Sequence, residues 1–411
     1  MDRIVFTNAN LFDGHSAPRA GATVVVEDGR IAALDPPSVP TDGQQIDLGG
    51  RTLMPGMVQG HFHSTYRDIG AQKWVFGFEK APIYHGYIAA ENARCALLWG
   101  FTSVVGASAA WDVDPSLRDA IEDGLLEGPR VVPSSHDLVT TGDTTDNRPG
   151  YMHVSNTAAA RVCDGPDEFR HAVRDEIKQG VEMLKVFASG GHYVSRPQDH
   201  VAMTAAELDA VVEAAHGRGA RVRAHAAGKR AILQCLDAGV DIIDHADGLD
   251  DECIERIVKT ETFILPSLYL PLCMMQLMGD PAEEGKTEYR TAGGQEFAYM
   301  CSVLAKADAA GVRIATGDDF GSVGVPHGDY AKELEVYVRY AGIPAQTVLR
   351  WATKNGGAMT GWDDVGTIEV GKLADLVVVD GDPTTDITIL QDQGRLHAIL
   401  KGGRFVKPLP G

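Results

Sequence analysis

The strongest constraint on this chain is an ordered alternation. Eight short apolar runs of strand length recur along its middle: Leu53 to Val58, Thr102 to Val105, Arg130 to Pro133, Met183 to Ala188, Arg221 to Ala224, Ile242 to Asp244, Phe263 to Leu268 and Arg313 to Ala315. Helical patterns fall between them, near Ile88 to Trp99, Pro166 to Gln179, Asp251 to Lys259 and Gly294 to Ala309. The clearest helix opens on a capping box, Thr204 with Glu207, and carries Leu208, Val211, Val212 and Ala215 on one face. Gly217 and Gly219 end it. Eight strand–helix units in order predict a (β/α)8 (TIM) barrel. An open doubly wound sheet is the weaker alternative, and neither standard glycine-rich phosphate loop is present.

The two ends read differently. Ile4-Val5-Phe6 and Ala22 to Val26 are strands, and Glu27-Asp28-Gly29-Arg30 is a hairpin turn before Ile31. Near the other end, Leu376 to Val379 and the run from Ala398 to Val406 repeat this pattern. Neither end is long enough to bury a core alone. The expectation is therefore a composite β-sandwich built from residues 1–54 and 362–411, with an α/β barrel domain, 55–361, inserted between them.

The 411 residues are 44% hydrophobic and 23% charged, with a net charge of −20. That acidity argues against nucleic-acid or acidic-membrane partners. Six cysteines, Cys95, Cys163, Cys235, Cys253, Cys273 and Cys301, are scattered without a CxxC pair, which suits free thiols in a reducing cytoplasm. Asp2 and Arg3 before an alternating run do not read as a signal peptide. The most apolar stretch, Phe263 to Met278, holds two prolines and is short for a membrane span. It reads as a buried strand followed by an apolar loop.

If the fold is a barrel, chemistry belongs at the carboxyl ends of its strands. Strand one ends in Gly60-His61-Phe62-His63, whose two imidazoles share a face because strand side chains alternate. Lys185 sits within Met183-Leu184-Lys185-Val186-Phe187, where a lysine is costly unless its charge is removed or paired. Strand five ends in Ala224-His225, strand six in Asp244-His245 and strand eight in Thr316-Gly317-Asp318-Asp319. Each histidine alone has an ordinary packing explanation. Four imidazoles, a lysine and a carboxylate converging on one mouth point to metal. Zinc suits these donors best, with manganese, iron or cobalt also compatible.

This order, HxH on strand one, Lys on four, His on five and six and Asp on eight, resembles the amidohydrolase superfamily. Leu53-Met54-Pro55-Gly56 resembles the family's entry to the HxH strand. Gly366-Thr367-Ile368-Glu369-Val370-Gly371-Lys372-Leu373-Ala374-Asp375-Leu376-Val377 is close to its return into the β-domain. Lys185-Val186-Phe187-Ala188-Ser189-Gly190-Gly191 is similar to the prolidase-like, imidazolonepropionase-related branch, which includes dipeptidases, carboxypeptidases and ochratoxin-type amidases.

The resemblance implies two divalent metal ions. His61, His63 and Asp318 would hold one, His225 and His245 the other, and carboxylated Lys185 would bridge them. A metal-bridging hydroxide would attack an amide carbonyl, with Asp318 as the catalytic base. The choice of Asp318 over the adjacent Asp319 rests on the family's Gly-x-Asp pattern, since alternation lets only one of the two face the metals. The implied reaction is hydrolysis of an N-acyl amino acid, dipeptide or related small amide. Relatives often assemble, so a homo-oligomer is expected.

Two departures bear on the substrate. Thr140-Thr141-Gly142-Asp143-Thr144 stands where dipeptidase-like members carry Thr-Gly-Gly-His, and Ala227 stands where many carry an aromatic residue. An uncharged amide, carbamate or lactam is thus an alternative substrate. His192, Tyr193 and Arg196 after strand four, Tyr269 after strand seven and His136 near strand three are the candidate substrate contacts. Residues 137–163 read as a cover for the mouth, and Trp74-Val75-Phe76-Gly77-Phe78 as an apolar lining. The rival readings are a mononuclear-metal deaminase and a non-catalytic scaffold.

Overall fold

A computed structural model describes residues 3–70, 79–146, 149, 151, 157–192, 194, 196–277 and 287–409, with the backbone alone for 287–293. Among the described residues eighteen strands form. They are β1 Arg3–Leu11, β2 Arg19–Glu27, β3 Arg30–Leu34, β4 Gln44–Asp47, β5 Thr52–Pro55, β6 Met57–Phe62, β7 Phe101–Gly106, β8 Arg130–Val132, β9 Ser134–Val139, β10 Ala160–Val162, β11 Met183–Phe187, β12 Arg221–Ala226, β13 Ile242–His245, β14 Phe263–Leu265, β15 Arg313–Ile314, β16 Leu376–Val379, β17 Leu396–Lys401 and β18 Arg404–Lys407.

The two ends of the chain share one sheet, in the order β18-β17-β16-β5-β1-β2-β3. β1 pairs with β4 through Ile4 to Thr7 and with β5 through Asn10 and Leu11, so two strands lie end to end along one edge of it. The sheet wraps a core of its own that includes Phe6, Val24, Ile31, Leu53, Leu376 and Leu400. The terminal β-structure is one continuous eight-stranded sheet. Its ends approach each other at the segment before β16: Ile31 N donates to Lys372 O and Gly403 N to Ala374 O.

The middle of the chain is parallel β-structure with helices between strands. β6-β7-β8 form one sheet and β10-β9-β11-β12-β13-β14-β15 another. β8 and β9 are separated only by Pro133, which has no N–H to give a ladder. The Pro133 carbonyl accepts from Glu182 N and Met183 N, both at 3.0 Å. Across the remaining gap, Gly60 N donates to Thr316 O at 2.9 Å. Val58, Val105, Val132, Met183, Ile242, Leu265 and Ala315, drawn from strands of both sheets or their ends, join one apolar cluster. Strands buried on both faces concentrate polar chemistry towards their ends.

The helix from Ala205 to His216 begins as expected, with both halves of the Thr204–Glu207 capping box formed. The Leu53 to Val58 run divides at Gly56, its first half pairing in the terminal sheet as β5 and its second opening β6. The apolar run from Phe263 also departs from expectation. After β14 it forms a helix, Tyr269–Leu277, rather than a loop. Leu270 and Cys273 are buried on it, and the Asp318 carboxylate accepts from the Tyr269 and Leu270 amides at its first turn. A carboxylate there satisfies donors that have no partner within the helix. No helix among the described residues is long and apolar enough to cross a membrane.

Candidate metal centre

His61 lies one residue before the end of β6 and His63 one residue after it. Their Nε2 atoms are 3.1 Å apart. Oδ1 of Asp319, beyond β15, is 3.1 Å from each of them. These three donor atoms thus form an equilateral triangle. Donors bound at about 2.0–2.1 Å to a tetrahedral zinc ion stand about 3.3 Å apart, close to this spacing. Gly60 and Gly317 let the two strand ends meet: a Cβ on Gly60 would lie 2.6 Å from Thr316 O, and one on Gly317 2.3 Å from His61 N.

Beside this triangle stand His225 at the end of β12 and His245 at the end of β13, their ring centroids 4.5 Å apart. His225 Nε2 and His245 Nδ1 are buried and have no hydrogen-bond partner among the described residues. Unmet ring nitrogens in the interior are costly unless something takes their lone pairs. Burial pushes His63 down to about 4 and His225 to about 3, and it holds His245 well below the usual imidazole range. Neutral rings are the form that binds metal. His245 and Ala246 both have positive φ, +73° and +54°, a strained bend that turns the ring into the mouth.

Lys185 is in the middle of β11 and 2% exposed. Its Nζ donates to Asp244 Oδ2 at 2.6 Å. Asp244 also accepts from Arg223, at 3.1 Å from Nε and 2.5 Å from Nη2. Arg223 is fully buried and sends Nη1 to the carbonyls of Gly60 and Gly106, at 3.0 and 2.7 Å. A side chain of β12 thus reaches β6 and β7 across the interior. Burial opposes charge on Asp244, but Arg223 and Lys185 outweigh it and hold this carboxylate well below its ordinary range. His61 Nδ1 lies 3.3 Å from Asp244 Oδ1, which fixes the ring and turns Nε2 toward Asp319.

The assignment between the two aspartates is corrected here. Asp319, not Asp318, meets the histidines. Asp318 caps the helix that starts at Tyr269, while the donor atoms that cluster are those of His61, His63 and Asp319. Burial, reinforced by the charge of Asp319, pushes Asp318 up to about 6. Burial also opposes charge on Asp319, yet His61, His63 and His245 overcome it and keep this carboxylate well below its usual range. Neighbours in sequence face opposite ways, so only one could enter the site. Counted from Gly317, the Gly-x-Asp spacing itself lands on Asp319.

A cavity of about 340 Å³ opens above these groups. Its floor carries His63, Asp137, Lys185, His192, His225, His245 and Asp319, and its wall Ile69, Phe187, Val194, Leu270, Met274 and Val323. Thr144 and Thr145, from the expected cover segment, also line it. Tyr66 stacks on His63 with ring centroids 3.8 Å apart and interplanar angle 4°. No arginine lines the cavity among the described residues.

Of the candidate substrate contacts, only His192 is brought to the floor. His136 faces the helix layer, where Nδ1 pairs with Glu176 Oε1 at 3.0 Å, and its neighbour Asp137 points into the cavity instead. Alternation along β9 explains the exchange. Tyr269 sends its hydroxyl to Asp329, and Leu270 takes the place at the wall. Arg196 is exposed and donates to the Gly142 carbonyl. Tyr193 and the run Trp74 to Phe78 lie outside the described residues. Asp143, at the altered loop, accepts from His200 Nε2 at 3.0 Å. Asp137, Asp244 and Asp247 carried no sequence signal beyond being acids near strand ends.

Known proteins resemble this chain along most of its length. The Amidohydrolase family model matches residues 52–406. Ochratoxinase of Aspergillus niger is 27% identical over 423 residues, covering 97% of this chain and 85% of that protein. Imidazolonepropionase of Symbiobacterium thermophilum is 24% identical, covering 94% of this chain and 90% of that one. A solved prolidase complexed with N-methylphosphonate-L-proline superposes with a TM-score of 0.85 at 30% identity, covering 98% of this chain and 99% of that one.

Proposed function

The chain belongs to the amidohydrolase family, hydrolases of C–N bonds, and on that premise we propose a metal-dependent hydrolase that cleaves an amide-type bond in a small molecule. The observation that carries this reading is the 3.1 Å triangle of His61 Nε2, His63 Nε2 and Asp319 Oδ1. Its residues fit a divalent ion such as zinc, and the unmet nitrogens of His225 and His245 fit a second. Lys185, carboxylated, would bridge the two.

The same proposal takes the two parallel sheets as one closed (β/α)8 barrel of residues 55–361. The Gly60–Thr316 bond and the Arg223 contacts to β6 and β7 support closure. Residues 1–54 and 362–411 then form the separate β-domain. A cytoplasmic, homo-oligomeric enzyme with free thiols completes it.

Bound divalent ions would polarise the scissile carbonyl and make a water acidic enough to act as nucleophile near neutral pH. Asp319 is placed to take the proton from that water and return it to the leaving nitrogen. Asp244, tied down by Arg223, keeps His61 in one orientation. The apolar wall receives the acyl side of the substrate. The apolar wall, with Asp143 in the altered loop and Ala227 in place of an aromatic residue, supports an uncharged amide, carbamate or lactam over an N-acyl amino acid or dipeptide.

Metal-replete protein should hydrolyse neutral anilides, carbamates or lactams and lose that activity on chelation. Cleavage of dipeptides alone would overturn the substrate preference, and hydrolysis untouched by chelation would overturn the metal. Lys185→Ala should lower the bound metal from two ions per chain towards one, as read by elemental analysis. Unchanged stoichiometry removes the bridge.

A further inference from the structure

His192 has features that a loop histidine or a simple substrate contact does not need. It follows Gly190-Gly191 just beyond β11 and adopts a left-handed backbone, φ +46°. A non-glycine residue there is strained and persists only when its surroundings hold it. The holding contact is Asp247, whose oxygens lie 3.1 and 3.3 Å from His192 Nδ1. Asp247 follows β13 by two residues, so a loop from one strand end orients a ring from another. The ring stacks on His245, centroids 3.7 Å apart and 17° from parallel. Gly191 brings the loop down onto Ala227, against whose Cβ any larger residue would press at 2.8 Å.

A carboxylate on Nδ1 is the arrangement found behind ligating histidines. Nε2 lies 3.8 Å from Asp319 Oδ2, long for a hydrogen bond but suitable for two donors with an ion between them. One donor atom each from His192, His245 and Asp319 falls within 4.8 Å of the others. Asp319 therefore turns Oδ1 to His61 and His63 and Oδ2 to this second group.

We propose that His192 is a metal ligand: held by Asp247, its Nε2 joins His245 and Asp319 in binding the second divalent ion. This rests on the reading of the centre as a metal site, and it adds a donor from the loop after β11 to the strand-end set. Asp247 is a positioning residue.

The test is titration of metal-depleted, full-length protein with zinc alone, in bicarbonate buffer against a chromophoric chelator, with no substrate present. Wild type should take two ions. His192→Ala should keep the first and bind the second at least tenfold more weakly, and Asp247→Asn should weaken the second about 10–100-fold. In cobalt-substituted protein, only the visible bands of the second ion should change. Melting temperatures of the metal-free variants report folding independently. If His192→Ala titrates as wild type while KM alone rises, His192 contacts substrate and the proposal fails. If wild type takes up no metal, the metal reading of the whole site falls with it.

Discussion

Asp319→Asn should lose about a thousandfold or more in kcat, the upper half of what a positioned general base supplies. Asp318→Asn should stay within about tenfold. The contrast follows from their partners. Asp319 shares Oδ1 with His61 and His63 at the floor of the cavity, whereas Asp318 accepts from two backbone amides of the helix from Tyr269. An asparagine at 319 keeps an oxygen for the ion but cannot take a proton from water. An asparagine at 318 keeps one acceptor but sets an NH2 against backbone amides that the other oxygen served, an expected stability loss of about 1–3 kcal/mol. Steady-state kinetics and thermal unfolding of the two variants, each with metal content measured, decide the matter. A dead Asp318→Asn beside an active Asp319→Asn would reverse the assignment.

The largest stability effect is expected at Arg223. Its guanidinium carries two bonds to Asp244 and two to the carbonyls of Gly60 and Gly106, all fully buried. In the metal-free protein, where Lys185 is an ammonium, Arg223→Met fills similar space but leaves Asp244 with Lys185 as its remaining strong cation and two carbonyls without donors. Breaking a buried pair from one side typically costs about 3–5 kcal/mol. The metal-free variant should melt several degrees lower and unfold at correspondingly less urea. Arg223→Lys should fall between, since it keeps the charge but not the fork. A shift below about 1 kcal/mol for Arg223→Met would mean that Lys185 alone satisfies Asp244. Because Asp244 also holds His61, the variant should bind its first ion more weakly as well, which zinc titration would detect.

Much of this was written in local pattern. Apolar runs of strand length, a capping box and an HxH pair depend on neighbours in the chain, and alternation along a strand follows from backbone geometry. His61, His63, Lys185, His225 and His245 could be selected because ligand-type residues at successive strand ends are hard to explain otherwise. The return segment from Gly366 to Val377 likewise marked where the chain re-enters the terminal sheet.

What failed to show in sequence depended on phase or on partners far away. His136 against Asp137 and Asp318 against Asp319 are each a choice between adjacent residues, where a shift of one position exchanges inside for outside. The helix at Tyr269 looked like an apolar loop because its first-turn partner, Asp318, comes from 48 or 49 residues later. Arg223 reads as an ordinary basic residue until β6 and β7 are placed opposite it.

By itself, then, the sequence determined the alternation of strands and helices, the pairing of both ends into a separate sheet, and the set of residue types offered at the strand ends. These follow from periodicity and from the cost of burying polar groups. Only the tertiary structure decided which aspartate enters the centre, that Arg223 clamps Asp244 beneath it, and that Asp247 turns His192 toward Asp319. Those outcomes rest on contacts between strand ends distant in the chain, and no local pattern encodes the distance between them.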